Sequence, residues 1–423
     1  MIPVLDFFTD PVLRPSAIGS MLMCLSSALV GVIVFLRKRS LIGETLSHAT
    51  FPGVVLGVAV AAFLFPFSDE GSALAILVGA FLFAYLGLKT VNVLENRLHV
   101  KSDSALCFVL ASFFGVGILL ASRLQQTHPL WYKQALAFLY GQTATMTNMH
   151  VMIYTIFGLL ILGFIVVFYR YLEAINFDSA FADTLGIRSK RLDDTMFLLI
   201  VLAIVVGIRS VGVVLMAGML ICPAIAARPL SRNLVHHFIF AGAIGIASGF
   251  LGNYLSILIP GQSYSLPTGP MILLSSAAIC LLSLLFAPNN GLIIRYLRIR
   301  KFRFQCTLEN ALKSLWKGQK KDKPFPKLIH LQLKRKNWID QEGKLTSAGK
   351  AMAEKIIRLH RLWEVYLVDY LGQKADKVHK TAEELEHLMS PDLERELTDL
   401  LNNPKLDPHH QPIPPGPPGR DAL

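Results

Sequence analysis

Two sets of residues have the types and the spacing to hold a metal ion. Glu44 and His48 lie four apart in "SLIGETLSHATFPGVVLGV", Ser40 to Val58. On a helix such a pair shares one face, with Cβ atoms about 5–6 Å apart. A carboxylate and an imidazole so placed can hold a divalent first-row ion. The same pair also suits a helix N-terminus, where the dipole favours a carboxylate and the imidazole serves as its hydrogen-bond partner. Spacing alone leaves both readings open. The second set is far along the chain. His360 and Glu364 are four apart; His379, Glu383 and His387 follow at four-residue intervals, with Glu386 beside them. On helices, adjacent faces would present three imidazoles and three carboxylates. The plainer alternative is the solvated face of an amphipathic helix.

The elements that must carry these residues differ between the two sets. Of 423 residues, 53% are hydrophobic and 17% charged. The charge is uneven: residues 1–300 hold 19 Lys/Arg and 12 Asp/Glu, and 301–423 hold 22 and 17. The first part contains apolar runs near the roughly 20 residues that a membrane-spanning helix needs. Nine spans are expected, at 17–36, 43–66, 72–94, 104–122, 150–169, 194–208, 211–228, 235–258 and 270–287. The sixth is short and meets the seventh across "RSVG", so eight is the alternative. Glu44 and His48 thus lie in a membrane segment, where an ionisable side chain costs about 2.5–3.5 kcal/mol at the centre.

Basic clusters follow the odd-numbered spans: Arg37–Arg39, then Lys89, Arg97 and Lys101, then Arg170, Arg188, Lys190 and Arg191, then Arg228 and Arg232, then Arg295–Lys301. The positive-inside rule then puts the N-terminus outside and the C-terminus in the cytoplasm. The net charge of +12 is largely this topology signal. Residues 1–16 carry no signal-peptide pattern. Five cysteines without CxxC spacing read as small apolar fillers. No GxxxxGK[ST] occurs, so nucleotide binding in the P-loop manner is excluded.

Several ordered blocks carry a resemblance. "LRKRSLIGETLSHATFPGVVLG", "LAFLYGQTATMT", "FDSAFADTLGI", "SVGVVLMAGMLICPAIAARPLS" and "LPTGPMILLSS" resemble the permease subunits of ABC importers for zinc, manganese and iron. The likeness runs over about residues 15–290. It implies an all-α polytopic protein of the bacterial cytoplasmic (inner) membrane. It further implies a separate ATP-binding subunit, an extracytoplasmic solute-binding protein, and a second permease copy or paralogue. The Asp and His that the family implicates in holding the metal fall on Glu44 and His48. Glu in place of Asp keeps the charge and adds a methylene. The block at Phe177, Asp178, Phe181, Asp183, Leu185 and Gly186 is implied to couple the permease to its ATPase. By composition it is a short helix, capped at Asp178 or Ser179 and ended at Gly186.

From about 300 the pattern becomes amphipathic. "WIDQEGKLT" predicts a two-strand wing around Glu342-Gly343. Thr346 or Ser347 should cap a helix running to about Tyr370, and a second helix should open near Thr381. "RLHRLWEVYLVDYLG", "DKVHKTAEELEHLMS" and "NNPKLDPHHQPIP" resemble, in order, the metal-binding region of the diphtheria toxin repressor family. The resemblance puts ligands on His360, Glu364, His379, Glu383, Glu386 and His387. A set without thiolate suits manganese or iron(II) better than a closed zinc site. The family's remaining ligand aligns near Asn310, a poor ligand. Only about 17 residues separate "LKSLW" from "KRKNWI", too few for two helices, so the DNA-reading element is degenerate. Lys334, Arg335 and Lys336 could touch phosphate; DNA is possible but not favoured as a partner.

The expected organisation is a permease domain at 1–295, a linker with a truncated winged-helix-like region at 296–345, a metal-sensing and dimerisation-like domain at 346–415, and a tail. The expected function is the membrane subunit of an importer for manganese, zinc or iron with a cytoplasmic metal-sensing appendage. The alternative is a membrane-anchored metal-responsive regulator. A membrane metalloenzyme would need a third close ligand and a base in the spans, and the sequence offers neither.

Overall fold

The computed structural model describes residues 5–64, 69–141, 143, 146–186, 189–259, 266–288, 291–318, 326–388 and 391–416. Ser68, Ile187 and Arg188 and residues 260–265, 319–325 and 417–423 lie outside them. Within them the chain is helical, with two isolated antiparallel bridges, Ile339–Leu345 and Leu406–Pro412. It divides into two compact units, Met1–Arg295 and Tyr296–Leu423.

The first unit contains α1 (Asp6–Thr9), α2 (Leu13–Leu36), α3 (Leu41–Leu64), α4 (Asp69–Asn96), α5 (Ser102–Thr127), α6 (Pro129–Tyr140), α7 (Asn148–Phe177), α8 (Ser179–Thr184), α9 (Ser189–Val211), α10 (Val213–Ala227), α11 (Leu234–Leu258) and α12 (Thr268–Phe286). Among the described residues eight helices are long and apolar enough to cross a membrane. The expected seventh span is α10, an apolar helix of 15 residues. The short α6, between α5 and α7, was not anticipated as an element.

Glycines decide both of these departures. Gly212, with φ +94°, turns the chain between α9 and α10, and Gly141, with φ +77°, ends α6. A Cβ on Gly141 would lie 2.4 Å from the Ser210 carbonyl oxygen, and one on Gly212 would lie 2.5 Å from that of Leu139. Two backbones cross there at a distance that only glycine permits. Polar groups pin the same crossing. Asn253 donates to Ser16 at 2.7 Å, Ser16 to the Thr143 carbonyl at 3.1 Å, and Thr143 to the Ser210 carbonyl at 2.8 Å. Every one of these side chains is buried. A polar group buried in the core of such a bundle must find a partner inside the protein.

Helix α3, which carries Glu44 and His48, is wedged among its neighbours. Against α4 the fit is backbone to backbone: a Cβ on Gly53 would lie 2.1 Å from the Gly79 carbonyl oxygen. Small residues at such a crossing let helices in lipid approach closely. On α5, the Leu106 carbonyl accepts from Thr45 at 3.3 Å. Most of α3 is buried, through Leu46, Phe51, Val54, Val55 and Val58. Its orientation about its own axis, and hence that of Glu44 and His48, follows from this packing.

The second unit contains most of α13 (Leu292–Trp316), then α14 (Lys327–Arg335), α15 (Ser347–Asp369), α16 (Ala375–Leu385) and α17 (Pro391–Leu400). Leu308, Leu312, Ile329, Leu333, Ile339, Ala353 and Ile356 form its core. The wing is smaller than expected: a single bridge, Ile339–Leu345, closed over Gly343 with φ +83°. Thr346 caps α15 by accepting from the Gly349 N–H at 3.1 Å, a cap worth about 1 kcal/mol. Helix α16 opens at Ala375, six residues before the expected start. It stops at Leu385, and Glu386–Leu388 form a 3-10 turn. That tighter turn breaks the four-residue spacing from which Glu383 and His387 were expected to share a face.

Candidate metal centres

In the membrane unit, Glu44 sits in the first turn of α3 and His48 one turn later. Both are half-buried. The His48 ring packs edge-on against Phe114 with centroids 4.6 Å apart. Its Nδ1 is buried without a hydrogen-bond partner among the described residues. Glu44 forms no ion pair among them either. The helix-end reading assigned His48 as the partner of Glu44, yet no hydrogen bond joins the two. Among the described residues the Glu44 carboxylate and the His48 Nδ1 take part in no hydrogen bond or ion pair, and they lie one turn apart on one helix. His150 and Arg209 line a cavity of about 720 Å³ among α4, α6, α7 and α9. His150 Nδ1 is committed to capping α7, 2.7 Å from the Thr147 hydroxyl.

The second centre lies within the Tyr296–Leu423 unit. Helix α15 places His360 and Glu364 on one buried face, and α16 lays His379 across them. His360 Nε2 is 2.9 Å from His379 Nδ1 and 3.1 Å from Glu364 Oε1. His379 Nδ1 is 2.9 Å from the same Glu364 oxygen. These three are the metal-type cluster among the described residues. Metal bonds of about 2.1 Å set at right angles would separate neighbouring ligands by about 3.0 Å. The triangle therefore fits one face of an octahedron, leaving the opposite face open. The other nitrogen of His360, Nδ1, lies 2.5 Å from Glu386 Oε2. A carboxylate behind a ligating imidazole is the usual support for a metal-bound histidine. The residues present fit a divalent transition ion.

Charge at the centre is tightly balanced. Burial pushes the Glu364 carboxyl up, but hydrogen bonds from His360 and His379 outweigh it and bring it down to about 2. Burial pushes the His360 imidazole down, but the carboxylates of Glu364 and Glu386 raise it above the usual histidine value. Burial also raises Glu386, yet His360 and Lys313 hold it below the ordinary carboxylate range. A cavity of about 100 Å³ adjoins the triad and is bordered by Lys317, Arg361, Asp407 and His409. The His379 side chain is 57% exposed, so the triad is open to exchange with solvent on that side.

The other sequence-identified residues go elsewhere. His387 Nδ1 pairs with Glu309 Oε2 at 2.6 Å. Glu383 is exposed and joins no ion pair among the described residues. Glu386 is held by Lys313, whose ammonium lies 2.9 and 3.0 Å from its two oxygens. Sequence reasoning missed Lys313 and Glu309. It had pointed to Asn310, whose Oδ1 is buried and without a hydrogen-bond partner among the described residues. The available signal was the Glu309–Lys313 spacing of four on α13.

At the block beginning with Phe177, Asp178 Oδ1 accepts the Phe181 N–H at 3.1 Å and starts α8. Gly186, with φ +77°, follows the helix. Phe181 and Leu185 stand 57% and 59% exposed. The side chains of Phe177 and Asp183 lie outside the described residues. Near α14, Lys334 donates to the Gln341 carbonyl at 3.3 Å and Lys336 stacks over Trp338 at 4.5 Å. Arg335 is exposed.

Comparison with known proteins agrees with this division. Residues 9–287 match the ABC 3 transport family. Residues 346–415 match the iron dependent repressor, metal binding and dimerisation domain. A probable metal transport system membrane protein of Chlamydia trachomatis is 34% identical over 96% of this chain and 97% of its own length. The manganese transport system membrane protein MntC of Bacillus subtilis is 33% identical over 83% of this chain and 82% of its own length. The solved structure of PsaBC from Streptococcus pneumoniae in complex with Fab has the same fold in the membrane region. It matches with TM-score 0.58 and 24% identity, over 70% of this chain and 98% of that one. With eight long apolar helices, an ordered set of permease blocks and a family match across the whole membrane unit, the chain belongs to the ABC 3 transport family.

Proposed function

We propose that this chain is the membrane subunit of an importer for a divalent first-row transition ion, manganese, zinc or iron(II). Its Tyr296–Leu423 unit senses the same class of ion in the cytoplasm. The observation that carries the transport reading is the buried His48 Nδ1, without a hydrogen-bond partner among the described residues, one turn from the Glu44 carboxylate on the wedged helix α3. An ion arriving from outside is substrate here, and Glu44 and His48 supply a carboxylate and an imidazole to it along its path. A buried polar atom left without a partner costs stability, so its presence on this face supports a ligand that comes and goes.

The energy comes from elsewhere, since the chain has no P-loop. A separate ATP-binding subunit docks on the exposed Phe181 and Leu185 and moves α8, which joins α7 to α9. A solute-binding protein delivers the ion, and a second permease copy or paralogue completes the pathway. In the second unit His360, Glu364 and His379 hold one ion and Glu386 orients His360. Such a donor set, without thiolate, suits manganese or iron(II). The basic clusters after the odd-numbered spans support a cytoplasmic position for this unit.

The test is metal uptake in cells that express the chain with its ATPase and binding protein. Glu44→Ala and His48→Ala should each bring uptake close to background while the protein reaches the membrane in normal amount. Unchanged uptake of manganese, zinc and iron in both variants would overturn the transport reading. It would leave the chain as a membrane-anchored regulator.

A further inference from the structure

The Lys313 ammonium sits where ligand-type residues converge. It lies 2.9 and 3.0 Å from the two oxygens of Glu386 and 3.4 Å from His360 Nδ1. The two charged side chains are 8% and 0% exposed, so this is a buried, desolvated pair. A buried charge persists only when it is matched. More ligand-type groups continue from Glu386. His387 Nε2 is 3.6 Å from Glu386 Oε1, and His387 Nδ1 is 2.6 Å from Glu309 Oε2. The His387 side chain is 6% exposed, and its Nε2 is buried with no hydrogen-bond partner among the described residues.

Two carboxylates and an imidazole with a vacant nitrogen are the donors a divalent ion would take. Here Glu386, the carboxylate nearest His387 Nε2, holds a tethered cation instead. A second ion drawn to Glu386 would have to displace the ammonium or sit beside it against like-charge repulsion. The ammonium also supports the triad. By neutralising Glu386 it fixes the carboxylate that orients His360, whose Nε2 then faces Glu364 and His379.

We propose that Lys313 is a built-in cation occupying a second metal position, so that the Tyr296–Leu423 unit binds one divalent transition ion rather than two. The proposal rests on the reading that the His360, Glu364 and His379 triad takes such an ion. Lys313 is a positioning residue: it acts through Glu386 and His360 and touches no bound metal.

The experiment is equilibrium dialysis of the full-length, detergent-purified chain against Mn(II) alone. Glu44→Ala and His48→Ala are present throughout, so that the membrane pair contributes nothing. With Lys313 in place, one Mn(II) per chain is expected. Lys313→Arg, which keeps the charge, should also bind one. Lys313→Met, purified in the presence of Mn(II), should bind two, and adding His387→Ala to it should return the count to one. Two ions with Lys313 in place would overturn the proposal while leaving the triad reading intact. One ion in Lys313→Met would do the same. No ion in any form would overturn both together. Should Lys313→Met fail to fold, the counts for the chain with Lys313 and for Lys313→Arg still decide, since a count of two in either refutes it.

Discussion

At position 44 this chain carries a glutamate where its resemblance to the importers implies an aspartate. The extra methylene lengthens the reach of the carboxylate on the helix face that it shares with His48, one turn further on. Glu44→Asp should retain transport and alter the order in which manganese, zinc and iron compete for uptake; the measurement is competition among the three in cells. At the other centre, His379 supplies the exposed edge of the triad. His379→Ala removes one of the three proposed ligands while leaving His360 and Glu364 on their buried face. The expected result is a fall in Mn(II) affinity of about 10–100-fold, on the scale of losing a supporting partner or more, with the helical content unchanged. Affinity measured by dialysis and helicity by circular dichroism check the two halves of that statement. The Glu and His residues of both proposed centres were legible in the sequence, because such residues in apolar or periodic surroundings stand out. Lys313 was not, because a lysine four residues from a glutamate on an amphipathic helix reads as a solvated pair. Only its burial against Glu386 shows otherwise.

Among the elements, the α3–α4 crossing makes the sharpest demand. Gly53→Val would drive a branched side chain into the Gly79 carbonyl, where even a Cβ comes within 2.1 Å. Overpacking of this kind costs about 1–3 kcal/mol or more. The detergent-purified variant should unfold at lower temperature and lose uptake, because the helix that carries Glu44 and His48 has been pushed off its neighbour. Helix α8 makes the opposite prediction. Phe181 and Leu185 are exposed, so replacing both with alanine should leave thermal stability nearly unchanged, within about 0.5 kcal/mol per site. The same change should abolish co-purification of the ATPase subunit. The long spans were readable because runs of some 20 apolar residues have few other uses. Helix α6 and the short α10 were harder to read. Their ends are set by the crossing of Gly141 and Gly212, which join residues 71 positions apart in the chain. In the second unit, the 3-10 end of α16 moved His387 away from the position that a continuous helix would give it.

At the scale of the whole molecule, one chain combines a permease with a region matching a repressor's metal-binding and dimerisation domain. If the second unit reports cytoplasmic metal, its ligands should govern a response that the membrane unit cannot make by itself. Cells expressing the chain with His360→Ala should continue importing metal, or expressing import genes, at cytoplasmic concentrations that silence the unaltered chain. Identical responses from the two would show that the second unit has no sensing role.

The sequence by itself determined that the chain spans a membrane many times, that its last third is of a different character, and that two Glu/His sets are chemically equipped for metal. These follow from composition, hydrophobic run length and four-residue spacing, all of which are local. The tertiary structure alone decided which of six expected ligands meet, and that an ammonium stands among the rest. It also decided that His48 faces its surroundings with a nitrogen unengaged. Those outcomes depend on where α13, α15 and α16 cross, and on the close fit of α3 to α4. Such crossings are set by packing between residues distant in the chain, which no local pattern encodes.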